Sequence, residues 1–200
     1  MFLKQFGWCA FFAQAFERRP AGQVPGRVSW AGRERFRVWT EGGEMEAAVA
    51  GGVRRTGQEE WPVTGDWVAL GSALIEGVLP RRTRVVRRAA GNAPAPQVLA
   101  ANVDVVFVVT GLDGDFNPRR IERYLYLAHE SGASPVVVLN KSDLAGDPGA
   151  FAARVRASAP ETPVVAGSAL TGAGVEALKE FFAPGQTAAF LGSSGAGKST

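Results

Sequence analysis

The sequence closes on Gly192-Ser193-Ser194-Gly195-Ala196-Gly197-Lys198-Ser199, followed by Thr200, a run that satisfies G-x-x-x-x-G-K-S/T. The chemistry of such a run is phosphate binding. Its glycines let successive backbone N–H groups converge on an anion through conformations that a Cβ would obstruct. Lys198 then supplies a point charge to the β- and γ-phosphates of a nucleotide, and the Ser199 hydroxyl a ligand for Mg²⁺. A glycine-rich turn with no ligand is the alternative, and the position directly after an expected strand argues against it.

A second group of residues points to the base. Asn140-Lys141-Ser142-Asp143 reads N-K-x-D, and the Asp143 carboxylate is suited to accept two hydrogen bonds, from guanine N1–H and its exocyclic amine. Adenine presents no such pair and would leave the carboxylate unpaired, which is how sites of this kind reach discrimination of about 10⁴. The motif alone arises by chance in some chains of average composition; its place at the carboxyl edge of an expected buried strand, in a chain with a phosphate loop, gives it weight. Further on, Ser168-Ala169-Leu170 offers a tight turn whose backbone N–H can point toward guanine O6.

A third group suits a polyanion. Alternation along Arg35 to Trp39 places Phe36 and Val38 on one face and Arg35, Arg37 and Trp39 on the other, the mixture of guanidinium and aromatic ring that binds RNA by charge and stacking. An ordinary solvated strand face with a half-buried tryptophan fits the same pattern. Arg54, Arg55 and Trp61 extend that chemistry, and Arg81, Arg82, Arg84, Arg87 and Arg88 follow with no acid among them, an electrostatic hook whose affinity for phosphate falls steeply with salt.

These residues need elements to hold them. Valine-rich Val103 to Thr110 reads as a parallel strand covered on both faces. Helix and strand then alternate: helix Pro118 to Ser131 with Ile121, Leu125 and Ala128 on one stripe, strand Pro135 to Leu139, helix Phe151 to Ala157, strand Pro163 to Ala166, helix Val175 to Phe182 and strand Thr187 to Leu191. That pattern predicts a three-layer α/β domain with a parallel sheet and ligands at the carboxyl ends of its strands. Between Val24 and Leu79 the pattern is different, with short alternating runs at Arg27 to Trp30, Arg35 to Trp39, Glu46 to Ala50, Trp67 to Leu70 and Leu74 to Leu79, broken by glycines. About 55 residues of this kind suit a five-stranded all-β barrel of the OB type. The expected organisation is a docking segment over 1–22, the barrel over 23–80, a basic linker over 81–100 and the nucleotide domain over 101–200.

Composition bounds the remainder. Two hundred residues with 46% apolar, 20% charged and zero mean hydropathy make one or two globular units, neither disordered nor membrane-spanning. The halves differ in charge: 14 Lys/Arg against 9 Asp/Glu in the first hundred residues, 8 against 10 in the second. One cysteine forms no intrachain disulfide and completes no cysteine-based zinc cluster, which makes the cytosol the expected compartment. Lys4 and the apolar run to Ala13-Gln14-Ala15 superficially fit a short secretory signal, but a docking segment with Trp8, Phe11, Phe12 and Phe16 on one side is the preferred reading. Cys9 is expected to be small, buried and apolar, and His129 to meet the C-terminal end of its helix dipole.

The order of the motifs is inverted, since in small GTPases the phosphate loop precedes the guanine-reading motif whereas here Asn140 precedes Gly192. Circular permutation resolves this, because a sheet with short connections can be opened at one surface loop and closed at another. From Leu3-Lys4-Gln5-Phe6-Gly7-Trp8 through Arg54-Arg55-Thr56, Trp61-Pro62-Val63-Thr64-Gly65-Asp66-Trp67-Val68, Ala101-Asn102-Val103-Asp104 and Arg119-Arg120-Ile121-Glu122-Arg123-Tyr124-Leu125 to the phosphate loop, the chain resembles the circularly permuted ribosome small-subunit-dependent GTPase A family (RsgA). The resemblance implies an OB barrel and a permuted GTPase domain with GTP or GDP and Mg²⁺, contacting the small ribosomal subunit and its rRNA late in maturation. It implies that Asn140, Lys141, Ser142 and Asp143 with Ser168 and Ala169 read guanine and that Gly192 through Thr200 cradle the phosphates. It also implies a zinc-binding domain. Apart from the resemblance, no apolar stretch approaches the roughly 18 residues of a membrane helix, and a cytoplasmic monomer with no membrane partner is expected.

The sequence departs from that family after Thr200. A helix completing the anion site, the first switch threonine, a D-x-x-G segment and the zinc ligands are not among these residues. Hydrolysis needs metal and switch contacts, so the expectation is a truncated chain that encodes guanine selectivity, with no residue assigned to catalysis. A noncatalytic rRNA-binding fragment and a P-loop ATPase are the competing readings.

Overall fold

The computed structural model describes residues 2–54, 61–87 and 97–200, without the side chains of Arg54 and Arg87. Two compact units result: one runs to Val103 and includes Pro184–Thr187, the other comprises Asp104–Ala183 and Ala188–Thr200.

In the first unit β1 (Val24–Ala31), β2 (Arg35–Thr40), β3 (Gly43–Val49), β4 (Trp67–Gly71) and β5 (Leu74–Val78) close a barrel in the order β1-β2-β3-β5-β4. A short helix α2 (Gly51–Arg54) follows β3. All neighbours are antiparallel except β3 and β5, which pair in parallel through Ala48↔Leu74 and Val49↔Ile75. This is the expected five-stranded OB-type barrel. Alternation works as the period-two reading requires, with Phe36 and Val38 wholly buried beside Val28, Val68, Leu70 and Ile75. β1 starts earlier than the sequence pattern indicates because Val24, Pro25 and Gly26 pair with Leu70, Ala69 and Val68, and backbone pairing needs no apolar alternation.

Helix α1 (Ala10–Phe16) has seven residues, too few to be stable alone. Packing holds it. Phe12 joins Leu3, Trp67 and Leu79 in a buried cluster, flanked by Phe6, Trp8 and Phe16, each fully buried large side chain contributing about 1.5–3 kcal/mol. Phe11 departs from the expected apolar side and is exposed, touching Phe12 edge-on; adjacent helical residues point about 100° apart. Cys9 is also a correction, being exposed at the N-cap of α1 in extended backbone rather than buried.

Segment 81–100, expected as a linker, contains β6 (Arg84–Arg87) and β7 (Gln97–Ala101), an antiparallel pair. Ahead of it, Arg81 is a second correction. Its guanidinium grips buried Asp66 with both edges, Nε at 2.8 Å and Nη2 at 2.7 Å, and donates to Trp61 O at 2.9 Å. Burial pushes the Asp66 carboxyl up, opposed by Arg81 and by the Val63 N–H. Arg81 thus serves the fold. Arg27, also buried, lies over the Trp67 ring and donates to the Phe6 carbonyl, to Asn102 O at 3.2 Å and to Thr187 Oγ1 at 2.7 Å.

The second unit holds a parallel sheet of β8 (Val105–Gly111), β9 (Ser134–Asn140), β10 (Val164–Ala166) and β11 (Ala188–Gly192), ordered β10-β9-β8-β11. Helices α3 (Pro118–Ser131) and α4 (Pro148–Ser158) connect the strands. Asn117 caps α3 by accepting from Arg120 N–H, Pro118 opens it and Gly132 closes it in the left-handed region. Ile121, Leu125 and Ala128 are buried as the stripe predicts, and exposed His129 stands in the last turn. The third expected helix is instead a 3-10 turn, Glu176–Phe181, whose Leu178 and Phe181 pack with Phe182 against Phe107, Val109 and Val136. Pro184 disfavours helical backbone just before it, so the turn cannot extend.

Candidate functional site

Parallel strands place their carboxyl ends at one edge, and here the loops leaving β8, β9, β10 and β11 carry the motifs. Asn140, the last residue of β9, is buried and binds on both sides. Its Nδ2 donates to Ala196 O of the phosphate loop at 2.9 Å, and its Oδ1 accepts from Ala169 N–H at 2.9 Å. The inverted chain order therefore still brings Asn140, Ala169 and Ala196 together.

Around that amide the backbone is crowded. Gly197 has φ +88°, and a Cβ there would lie 2.2 Å from Asn140 Nδ2; one on Gly192 would lie 2.2 Å from Val109 O. Glycine is required at both. Among the described residues, the N–H groups from Ser194 to Ser199 donate to no protein acceptor except that of Ala196, which reaches Ser193 O at 3.3 Å. A loop of backbone donors mostly without protein acceptors, with glycine at its close approaches, fits an anion. Lys198 Nζ donates to the carbonyls of Gly192 at 3.1 Å and Ser193 at 2.6 Å, and exposed Ser199 and Thr200 follow it. The Ser199 hydroxyl suits a hard cation such as Mg²⁺. Among the described residues no three His, Cys, Asp or Glu side chains are grouped to hold a metal ion.

Lys141 takes left-handed backbone at φ 61° and ion-pairs with Asp113, turning the chain into the 3-10 turn Ser142–Leu144, where Asp143 is exposed. Ser142 N–H donates to Gly167 O at 3.0 Å, joining this turn to the loop after β10. In that loop Ser168 is buried and its N–H donates to Ala173 O at 2.8 Å. Of the turn Ser168-Ala169-Leu170, expected to offer a backbone N–H to guanine O6, the N–H groups of Ser168 and Ala169 have protein acceptors here, Ala173 O and Asn140 Oδ1.

Sequence reasoning did not find the loop after β8. Asp113 holds Lys141, and Asp115 accepts from Ser193 Oγ and from Arg120. The Lys141 hydrogen bond chiefly holds the Asp113 carboxyl below its ordinary value. For Asp115, burial raises the pKa, but Ser193, Arg120 and the Gly111 backbone outweigh it and the net direction is down. The available signal was a strand-end loop with two acids, Gly111-Leu112-Asp113-Gly114-Asp115.

Of the RNA-contact candidates, Arg35 and Arg37 are exposed on β2, Arg35 pairing with Glu46 at 3.5 Å. Trp39 is half-buried and stacks on Phe6 with ring centroids 4.1 Å apart, a second role that takes one of its faces. Trp61 packs against the barrel core beside Phe36. Arg82 and Arg84 are exposed. Arg55 and Arg88, and the side chains of Arg54 and Arg87, lie outside the described residues. Among the described residues no helix is long and apolar enough to cross a membrane.

Comparison with known proteins gives a consistent result. Residues 78–200 match a family model described as RsgA GTPase. Over its whole length the chain is 47% identical to a protein of Opitutus terrae named small ribosomal subunit biogenesis GTPase RsgA, of which it spans 59%. The crystal structure of YjeQ from Thermotoga maritima superposes with a TM-score of 0.67 at 29% identity, over 88% of this chain and 63% of that one. A structure of YloQ, described as a circularly permuted GTPase, shares the fold with a TM-score of 0.60 at 19% identity, over 90% of this chain and 64% of that one.

Proposed function

The chain belongs to the RsgA GTPase family, and on that premise we propose that it carries the guanine-nucleotide grip and the RNA-contacting barrel of a GTPase acting in biogenesis of the small ribosomal subunit. One observation carries the nucleotide half: the Asn140 amide, at the head of N-K-S-D, bonds the phosphate loop on one side and the Ser168–Ala169 turn on the other. An accidental N-K-x-D would have no reason to hold both, so the ATPase reading is the weaker one.

In this reading Asp143 accepts from guanine N1–H and the exocyclic amine, the loop amides from Ser194 to Ser199 grip the phosphates, Lys198 exchanges its carbonyl partners for phosphate oxygens, and Ser199 holds Mg²⁺. Mg²⁺ would neutralise phosphate charge. The barrel and the segment after it meet rRNA through Arg35, Arg37, Arg82 and Arg84, with Arg54, Arg55, Arg87 and Arg88 extending the basic surface. The protein works as a monomer in the cytoplasm, where its ribosomal partner is. The chain spans 59% of the Opitutus terrae relative, and the hydrolysis that the relative's name gives is proposed here on family membership alone.

Isothermal titration tests this. GDP with Mg²⁺ is expected to bind this chain and ADP to bind far more weakly; equal affinities for the two would return the site to the ATPase reading, and salt-insensitive binding to small subunits would remove the barrel's electrostatic role.

A further inference from the structure

The loop after β8, Gly111-Leu112-Asp113-Gly114-Asp115-Phe116, carries two carboxylates that neither the phosphate-binding nor the guanine-reading motif contains. They reach in opposite directions. Asp113 takes Lys141 of N-K-S-D; Asp115, two residues on, takes Ser193 of the phosphate loop with one oxygen and Arg120 in the first turn of α3 with the other. Between the two, Leu112 N–H donates to Asn140 O at 2.9 Å and ties the loop to the end of β9. One short loop thus contacts both halves of the site.

We propose that Asp113 and Asp115 are positioning residues of the nucleotide site, Asp113 aiming Lys141 on the base side and Asp115 fixing the entrance of the phosphate loop through Ser193. The inference rests on the nucleotide reading above. The Asp113 pair fixes the Lys141 ammonium, whose flexible four-carbon stem would otherwise sample many positions. Ser193 lies between the close-approach glycine Gly192 and the donors of the loop; a hydroxyl held by a charged acceptor fixes that turn more firmly than a neutral partner would. A carboxylate beside a phosphate site is repulsive unless compensated, and Arg120 supplies the compensation at Asp115 as Lys141 does at Asp113. Both carboxyls favour the charged form these roles need.

Competition against a fluorescent GDP by GDP, ADP and inorganic pyrophosphate separates the two roles, with thermal melts as the folding control. Asp115→Ala is expected to weaken GDP and pyrophosphate together by about tenfold, leaving the GDP-to-ADP ratio unchanged. Asp113→Ala is expected to weaken GDP by about tenfold and lower that ratio while pyrophosphate stays at the wild-type value. Ser193→Ala should reproduce Asp115→Ala, and the double variant should lose no more than either single one, since both remove the same contact. Asp115→Asn keeps an acceptor for Ser193 and should recover part of the loss; with Ser193→Ala it serves if Asp115→Ala does not fold. Wild-type GDP affinity in both alanine variants, or additive losses in the double variant, overturns the positioning roles. A wild-type chain that binds neither GDP nor pyrophosphate overturns the nucleotide reading itself.

Discussion

Asn140 Nδ2 donates to the carbonyl oxygen of Ala196 at 2.9 Å, joining residues 56 positions apart. The same side chain accepts from Ala169 N–H on its other edge. A primary amide is suited to this place because it offers a donor and an acceptor at once; a carboxylate offers acceptors alone.

Asn140→Asp sets a carboxylate oxygen against the Ala196 carbonyl, and Asn140→Ala leaves buried groups unpaired. Each is expected to cost about 1–3 kcal/mol of stability and to weaken GDP more than the stability loss alone accounts for. Urea unfolding together with calorimetric titration checks both; full GDP affinity in either variant would show that the bridge is dispensable.

Gly197→Ala forces a methyl to 2.2 Å from Asn140 Nδ2 at φ +88°. The prediction is loss of phosphate binding, read with inorganic pyrophosphate, in a protein whose far-ultraviolet circular dichroism stays that of wild type.

Asp143→Asn replaces an acceptor pair with a group that donates as well. Guanine preference should fall by orders of magnitude, toward the loss of about 10⁴ expected when matched hydrogen bonding is removed, while pyrophosphate binding is retained. Competition of GDP with ADP measures it, and an unchanged ratio would move base recognition elsewhere.

Two arginines separate fold from RNA contact. Arg81→Ala leaves buried Asp66 without its bidentate partner and is expected to cost about 3–5 kcal/mol. Arg37→Ala, on an exposed strand face, should leave the melting temperature unchanged while reducing the salt slope of small-subunit binding by about 1. Similar effects of the two variants on both readouts would contradict the division.

Burial alone would raise the Asp115 carboxyl, but hydrogen bonds from Ser193 and Arg120 outweigh it and hold the group below the ordinary carboxylate range. A depressed folded-state pKa means that its contribution to stability is fully present above the unfolded value and is lost as pH falls through the folded one. Stability from this group should therefore be flat across neutral and mildly acidic pH and decline progressively as the pH falls through the ordinary carboxylate range to the lowered folded-state value. A carboxyl-carbon titration by NMR gives the midpoint directly, and Ser193→Ala should move it upward.

Much of the second unit is readable one residue after another. The valine run of β8, the stripe of α3 and the phosphate loop are local patterns whose period or spacing fixes their structure, as Ile121, Leu125 and Ala128 show by their burial. The barrel strands were legible for the same reason, with Phe36 and Val38 inward. The Glu176–Phe181 turn was less so, because a short apolar stretch beside Pro184 fits a helix by period but not by length.

What could be read from the sequence by itself was the local pattern: the G-x-x-x-x-G-K-S run, the N-K-S-D run and the strands that carry them. Only the tertiary structure decided which charged residues are committed elsewhere. Arg81 looks like its neighbours in the basic run, yet the buried Asp66 claims it; Asp113 and Asp115 look like solvated loop acids, yet they hold Lys141 and Ser193. A charge states its partner's sign but not its address, and pairing across long stretches of chain is settled by how the strands stack.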